Sequence, residues 1–520
     1  MAYREALLKG TLVNALGLLA KLLYPLLIFV LTRLFGADLM GHYFIGLAVI
    51  ELGTGAVTAG WATATTVRVS PHAEAARGDV EASAAMNQTL GRTLMYSLST
   101  AVVFGVLIQL SASWAIRNYF TEHVALLPGI YFVGWAMVPT AFANIIGAAS
   151  KAHLTMTWDA ILGGMRPLLL LTTSVAVYFL GGGLTELLAS YFVSMVALAV
   201  FSLIPFARYF DWRAVLRNVR PVWDRDLVHF AVPHALTHTL TLYITRLDTI
   251  MLGALGVAPA NLAWYATASY LTSNLQQLRI VFSTALAPVV ARHHHRRERK
   301  ELVDLLTRTT RWVTTLLPLF ALAIVILRRD ILSLVDSSYG REGDEFILVL
   351  LIPASVSCAF GLAGNFITYT GHTRVNLMNG VLIGALNTAL NLLWIPKYGL
   401  IGAASATALS TAIVGLMQLI ELRVLEKVAI RVRDAWMPYA GAAVGAAILG
   451  LLWDPAAFGH VGLRIGLAVA VLLAYGVGLW IFGHPEVRGW SKRGAGPTPT
   501  ATVPDLGIGY EEGKEHDDDR

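Results

Sequence analysis

A few ionisable residues stand inside stretches of sequence that are otherwise apolar: Lys21, Glu51, Arg166, Arg246, Asp248 and Arg279, with Asp159 nearer the end of its stretch. An ionisable group at membrane depth costs a few kcal/mol, so a chain that keeps several pairs them or uses them for a pathway. Four cations against two anions leave an excess of positive charge, which suits an anionic cargo. A guanidinium can hold phosphate oxygens through two parallel hydrogen bonds, and an ammonium contributes a point charge. Lys21 and Arg279 fall near the middle of their stretches, too deep for easy snorkelling, and rank first as substrate-binding cations. Arg246 and Arg166 follow. Arg166 precedes Pro167, where the missing N–H frees a carbonyl, so a structural role and a cargo-facing role both fit it.

The stretch His229 to Gly256 concentrates this chemistry, with His229, His234, His238, Arg246 and Asp248 in one run of spanning length. At 100° per residue, His234, His238 and Asp248 fall within an arc of about 80°, giving the helix one titratable face. Histidine titrates near neutral pH, so these three, with Glu51, are the candidates for coupling transport to H+ or Na+. Ordinary interhelical hydrogen bonding is the alternative for the histidines, and a bridge or cap between lobes for Asp248 and Arg246. Those two are two residues apart and point away from each other. Glu51 is also placed to neutralise Lys21 in the adjacent stretch.

Catalytic and metal chemistry are poorly served. The sole cysteine, Cys358, lies in an apolar run and reads as core. The run His293-His294-His295 cannot turn every ring to one ion on a helix, and its neighbours are cationic, so it reads as a solvated basic loop. Nothing matches the nucleotide-binding pattern GxxxxGK[ST]. No catalytic residue, metal or cofactor is expected.

The elements that must position these residues follow from composition. The 520 residues are 56% hydrophobic and 14% charged, the signature of an all-α polytopic membrane protein. Apolar runs of spanning length fall at roughly 11–32, 41–65, 92–114, 123–147, 158–180 and 185–207, then 228–253, 263–290, 308–328, 346–370, 377–395, 400–422, 437–453 and 463–483, about 14 helices. The first run contains Lys21 and lacks a small-residue cleavage site, so it reads as a span and not a signal peptide. The expected organisation is an N-lobe at 1–210, a cytoplasmic connector at 211–227, a C-lobe at 228–422, two further helices at 437–483 and a disordered cytoplasmic tail at 484–520.

With the N-terminus inside, the inner segments hold about 28 Lys and Arg residues against about 7 in the outer ones, which predicts both termini in the cytoplasm. The net charge of +6 is spread over these loops, so nucleic acid is not an expected partner. Outer loops too short for a folded domain argue against a membrane glycan polymerase or ligase.

The two halves of the chain are weakly self-similar. Tyr43 and Tyr265 open corresponding helices 222 residues apart, and His153 and His372 stand in corresponding loops 219 apart. Six helices per unit is an even number, so the expected fold is two pseudo-symmetric six-helix lobes related by an axis along the membrane normal, plus two C-terminal helices.

Arg33-Leu34-Phe35-Gly36 with Gly41-His42-Tyr43, Asp248 with Met251-Leu252-Gly253 and Trp264-Tyr265, Pro288, and above all Asn387-xxx-Asn391 running on through Pro396, Gly399 and Gly402 to Thr407 resemble the polysaccharide flippase branch of the multidrug/oligosaccharidyl-lipid/polysaccharide (MOP) superfamily. The resemblance covers about residues 5–425. It implies alternating-access transfer of a polyprenyl-diphosphate-linked oligosaccharide across a prokaryotic inner (cytoplasmic) membrane, with membrane lipid and polysaccharide assembly proteins as partners. A cation-coupled multidrug exporter is the alternative within the superfamily. Read from the residues alone, Asn387 and Asn391 share a face and serve hydrogen bonds between helices, while Gly402, Ala403, Ala404 and Ala406 give a small-residue packing face.

Overall fold

The structure, a computed structural model, describes residues 2–73, 79–152, 156–220, 222–273, part of 275–290, 293–335, 344–428 and 461–481, with side chains from residue 23 onward. Its helices, in chain order, are α1 (Ala2–Ala73), α2 (Val80–Asn118), α3 (Ile130–Trp135), α4 (Met137–Ala152), α5 (Met156–Phe179), α6 (Leu184–Tyr209), α7 (Trp212–Asn218), α8 (Arg225–Ala254), α9 (Pro259–Ser273), α10 (Arg299–Ser333), α11 (Asp344–Tyr369), α12 (Thr373–Leu425) and α13 (Val461–Ile481), with a 3-10 segment, Thr121–Gly129, before α3. Among the described residues, nine helical segments are long and apolar enough to cross a membrane. α8 is not among them, because its histidines, threonines, Arg246 and Asp248 dilute its apolar character.

α1 and α12 each join two spans through one glycine. Gly36 has φ 76 and Gly399 has φ 56, backbone that only glycine adopts without a Cβ penalty. Each turn sends the chain back across the bundle. The left-handed glycines also report the repeat: Gly36 and Gly256 are 220 residues apart, and Gly181 and Gly399 are 218 apart. These offsets, 220 and 218, are close to the 222 that separates Tyr43 and Tyr265. Of the other sequence pair, His153 lies outside the described residues. So do the helix expected at 437–453 and the tail from 484.

Threonine and serine are frequent in the spans because a hydroxyl can bond the carbonyl four residues back. Thr32 Oγ1 reaches Ile28 O at 2.7 Å and Thr65 Oγ1 reaches Trp61 O at 2.8 Å, so each hydroxyl is satisfied within its own helix. Cys358 is buried and donates to Leu275 O at 3.3 Å. α13 lies on α10 through Leu322, Ile326, Val471 and Tyr475, fastened by Arg464 to Asp330 at 2.8 Å.

The second arm of α1 runs along α8 and joins the lobes. A Cβ on Gly41 would overlap the Pro259 carbonyl, one on Gly53 would meet Met137, one on Gly55 would meet Leu242, and one on Gly60 would overlap the Ala231 carbonyl. Gly60 therefore lets the α1 and α8 backbones meet directly, Gly41 does the same against the start of α9, and Gly55 makes room for the Leu242 side chain, the close approach by which helices associate in lipid. The connector is fastened to the N-lobe: Tyr96 donates to Val222 O at 2.8 Å, accepts from the Asp224 N–H at 2.9 Å, and stacks on Trp61.

The histidine run differs from the solvated loop that its composition suggests. His293 Nδ1 lies 2.6 Å from Glu298, and His294 Nδ1 lies 3.1 Å from Glu426, whose other oxygen is 2.8 Å from His372 Nε2. The loop is held because Glu426 ends α12 where the α11–α12 turn and the histidine run converge, an arrangement that chain order does not reveal.

Candidate functional site

α8 carries Arg246 and Asp248 on opposite sides, and the structure sends them into different lobes. Arg246 crosses to the N-lobe, where its Nε and Nη2 both donate to Glu51, the Nη2 bond to Oε1 measuring 3.1 Å. The Tyr270 ring lies 4.3 Å from the guanidinium carbon, and its hydroxyl donates to Glu51 Oε1 at 3.4 Å. This forked geometry fixes both direction and distance, and the ring face adds a cation–π contact. Arg246 thus supplies the charge that neutralises Glu51. The Lys21 side chain lies outside the described residues.

Asp248 turns into the C-lobe and is buried, receiving hydrogen bonds from Tyr265 at 2.7 Å, Thr407 at 2.6 Å and Asn391 at 2.9 Å. Asn387 braces this ring by donating to Thr407 at 2.9 Å and accepting from Asn391 at 2.7 Å. Asn391 Oδ1 is buried without a hydrogen-bond partner. Asp248 is therefore not a bridge between lobes but a carboxylate caged by neutral donors. The Asn387 to Thr407 motif supplies most of that cage.

His234 and His238 are exposed and do not join Asp248. Their common azimuth is real, but ten to fourteen residues at 1.5 Å rise put them about 15–21 Å away along the axis. His238 instead lies against Gly55 of α1.

The other two cations stand in separate cavities. Arg166 lines one of about 620 Å³ with Tyr24, Thr58, Thr66, Asn144 and Asp159, and its Nη2 donates to Asn144 Oδ1 at 2.6 Å. At the same cavity Lys151 pairs with Asp159 at 2.9 Å. Arg279 lines one of about 320 Å³ with Asp248, Gln276, Asn379 and Gln418, and donates from Nη1 to Gly361 O at 3.1 Å. Among the described residues no group of three or more His, Cys, Asp or Glu could hold a metal ion.

Sequence reasoning missed Tyr270, which lies beneath Arg246, and Asn144, which holds Arg166. Neither carries a motif. Tyr265 and Thr407 were visible as parts of motifs, but their convergence on Asp248 was not.

The fold is similar to that of a lipid II flippase MurJ in an inward closed conformation, with TM-score 0.70 and 11% identity over 92% of this chain and 100% of that one. It is also similar to an inward-facing multidrug resistance MATE family transporter, with TM-score 0.68 and 13% identity over 78% of this chain and 94% of that one. A third likeness is to a MOP superfamily transporter from Pyrococcus furiosus, with TM-score 0.57 and 14% identity over 81% and 95% of the two chains. No curated protein sequence matches the chain.

The chain belongs to the family described as polysaccharide biosynthesis protein, whose match covers residues 7–294. Its nine long apolar helical segments among the described residues make it a multi-pass membrane protein, and its fold is the one shared by the flippase and transporters above.

Proposed function

We propose that the protein is a flippase that moves a polyprenyl-diphosphate-linked oligosaccharide across the cytoplasmic membrane by alternating access, with both termini on the cytoplasmic side. The observation that carries this reading is that Arg166 and Arg279, each beside a cavity, have neutral oxygens and no carboxylate as hydrogen-bond partners among the described residues. A buried cation left in this state attracts an anionic ligand, and a lipid diphosphate offers several acceptor oxygens. A cationic drug would instead be repelled.

The seam supports the proposed movement. Glu51 and Arg246 sit between the contact of Ile45 with Gly253 and that of Gly60 with Ala231. Cargo phosphate competing with Glu51 for Arg246 loosens the seam at its centre, and the lobes then rock to open one end while the other stays packed. Lys21, near the middle of the first span, adds a further charge for the head group.

Asp248 is the proposed coupling group. It is a buried carboxylate ringed by oxygen and amide groups, its hydrogen-bond partners Tyr265, Asn391 and Thr407 all neutral, and can accept a proton or a monovalent cation as the C-lobe changes shape. Glu51, His234 and His238 are secondary candidates.

The test is the leaflet distribution of diphosphate-linked glycans in cells depleted of the protein and complemented with wild type, Lys21→Ala, Arg166→Gln or Arg279→Ala. Accumulation on the inner leaflet, relieved by wild type and not by equally expressed variants, is the expected result. Normal glycan export with retention of cationic dyes would replace this reading with the drug exporter.

A further inference from the structure

The two cavities are lined by different chemistry. The N-lobe cavity holds three charged residues, Lys151, Asp159 and Arg166. The C-lobe cavity holds two of opposite sign, Asp248 and Arg279, so its wall as a whole selects neither an anion nor a cation. Recognition there falls to neutral groups, and nearly half of its lining residues carry a hydroxyl or a side-chain amide.

These groups are ordered along the helices. Thr237, Thr241 and Thr245 stand four residues apart and form one exposed stripe of α8. Ser269, Ser273 and Gln276, at spacings of four and three, give the span opened by α9 a stripe of its own. Asn376 and Asn379 line the cavity from the first arm of α12, and Thr411 and Gln418 from its second. Four spans thus turn a polar face to one space. A polar face that is not packed on a neighbour and does not meet hydrocarbon has to meet water or a polar ligand.

Acceptors and donors come from different walls. The α8 threonines donate to carbonyls four residues back, Thr241 to Thr237 O at 3.0 Å and Thr245 to Thr241 O at 2.8 Å, so their oxygens are left to accept. The other walls supply N–H groups, from Gln276, Gln418 and the Arg279 guanidinium. A Cβ on Gly361 would overlap Arg279 and one on Gly364 would overlap the Gln418 amide, so both lie flat on bare backbone. Asn379 is fixed by donating to Glu421, outside the lining, at 2.6 Å. Phe360 adds an aromatic ring. A sugar ring has the complementary pattern: hydroxyls that each donate and accept around its rim, and an apolar C–H face for the aromatic.

We propose that the C-lobe cavity is a glycan-binding subsite that takes an uncharged sugar of the cargo. This rests on the flippase reading and names where the glycan, as distinct from its diphosphate, is held. At about 320 Å³ the cavity falls near the lower end of small-molecule sites, which run from about 300 to 1,000 Å³, so it seats a short piece of the glycan and leaves the rest in the cleft. Asp248 lines the same space, so a seated sugar lies beside the group proposed for coupling, and loading and ion binding meet in one cavity.

The test uses the full chain in lipid nanodiscs and two probes: the diphosphate-linked glycan extracted from cells depleted of the protein, and the same molecule trimmed by glycosidases to its first sugar. Binding is read by titration calorimetry. Wild type should bind the untrimmed carrier more tightly. Thr241→Val combined with Gln418→Leu should weaken the untrimmed carrier about tenfold and leave the trimmed one within about twofold. Gln276→Leu, an independent variant, should act in the same direction, while Thr241→Ser, which keeps the hydroxyl, should behave as wild type. Retained binding of the trimmed carrier shows that a variant is folded. Glycan released from the carrier should compete equally at about 0.05 and 0.5 M salt, because its contacts are uncharged. The proposal is overturned if wild type binds the two probes alike, if the variants weaken both probes alike or neither, or if raising the salt abolishes the competition. The flippase reading fails separately, when depletion leaves the leaflet distribution of lipid-linked glycans unchanged.

Discussion

Glu51 at the lobe seam and Asp248 inside the C-lobe are both carboxylates within the spans, and they are satisfied in opposite ways. Glu51 faces a full positive charge supplied by the other lobe, with Tyr270 beside it. Asp248 faces three neutral donors, all from its own lobe. An ion pair couples two bodies strongly, and breaking it strands a charge on each side. A neutral cage leaves the carboxylate's charge uncompensated and open to a mobile cation, without binding the lobes together. The seam is therefore built to latch, and the C-lobe site to respond.

The sharpest way to break this comparison is at the seam. Glu51→Gln or Arg246→Gln alone strands a partly buried charge and should cost about 3–5 kcal/mol, less to the extent that water reaches the pair. The double variant should recover much of that loss. Thermal unfolding in detergent measures it, and additive effects of the two single changes would show that the pair does not act as a latch.

Asp248→Asn comes next. It removes the charge while keeping the shape, but turns one acceptor into a donor facing Tyr265 and Thr407, at a cost of about 1–3 kcal/mol. Transport by this variant should lose its dependence on pH or on Na+, whichever the wild type shows. Unchanged ion dependence would remove Asp248 from coupling.

A third carboxylate outside the spans sharpens the contrast, because Asp224 has both kinds of partner. Partial burial alone would raise its pKa, but hydrogen bonds from the Leu227 N–H and from Arg92, at 2.8 Å, together with the charges of Arg92 and Arg68, hold it below the usual carboxylate value. Its contribution is thus fully present above about pH 4, the ordinary carboxylate value, and is lost as pH falls through the lower folded value. Hydrogen exchange at the start of α8 should rise on acidification, by a small amount, and Asp224→Asn should abolish that acid response. An undiminished response would assign it to another group.

Much of the fold was legible. The apolar runs anticipate the spans, Gly36 and Gly399 mark where one long helix is in fact two, and the offset of Tyr43 to Tyr265 anticipates that of the turn glycines. These are local or periodic signals, set by the length of the bilayer and by the conformational freedom of glycine. The candidate site was legible in part. Composition identified Arg166, Arg246, Asp248, Arg279 and Glu51 as residues that need partners, but did not foresee that Arg246 reaches Glu51, and joined His234 and His238 to an aspartate they do not approach.

What the sequence alone determined is which groups cannot be left facing lipid, because that follows from residue type and from the apolar length around it. What the tertiary structure decided is who satisfies them. Glu51 and Arg246 are 195 residues apart, and Asp248 and Thr407 are 159 apart, so each contact exists only once the helices are packed. Helical spacing fixes the direction of a side chain around its own axis. Depth in the bundle and the identity of the facing helix come from packing, and those two decided that Arg246 would join the lobes and Asp248 would not.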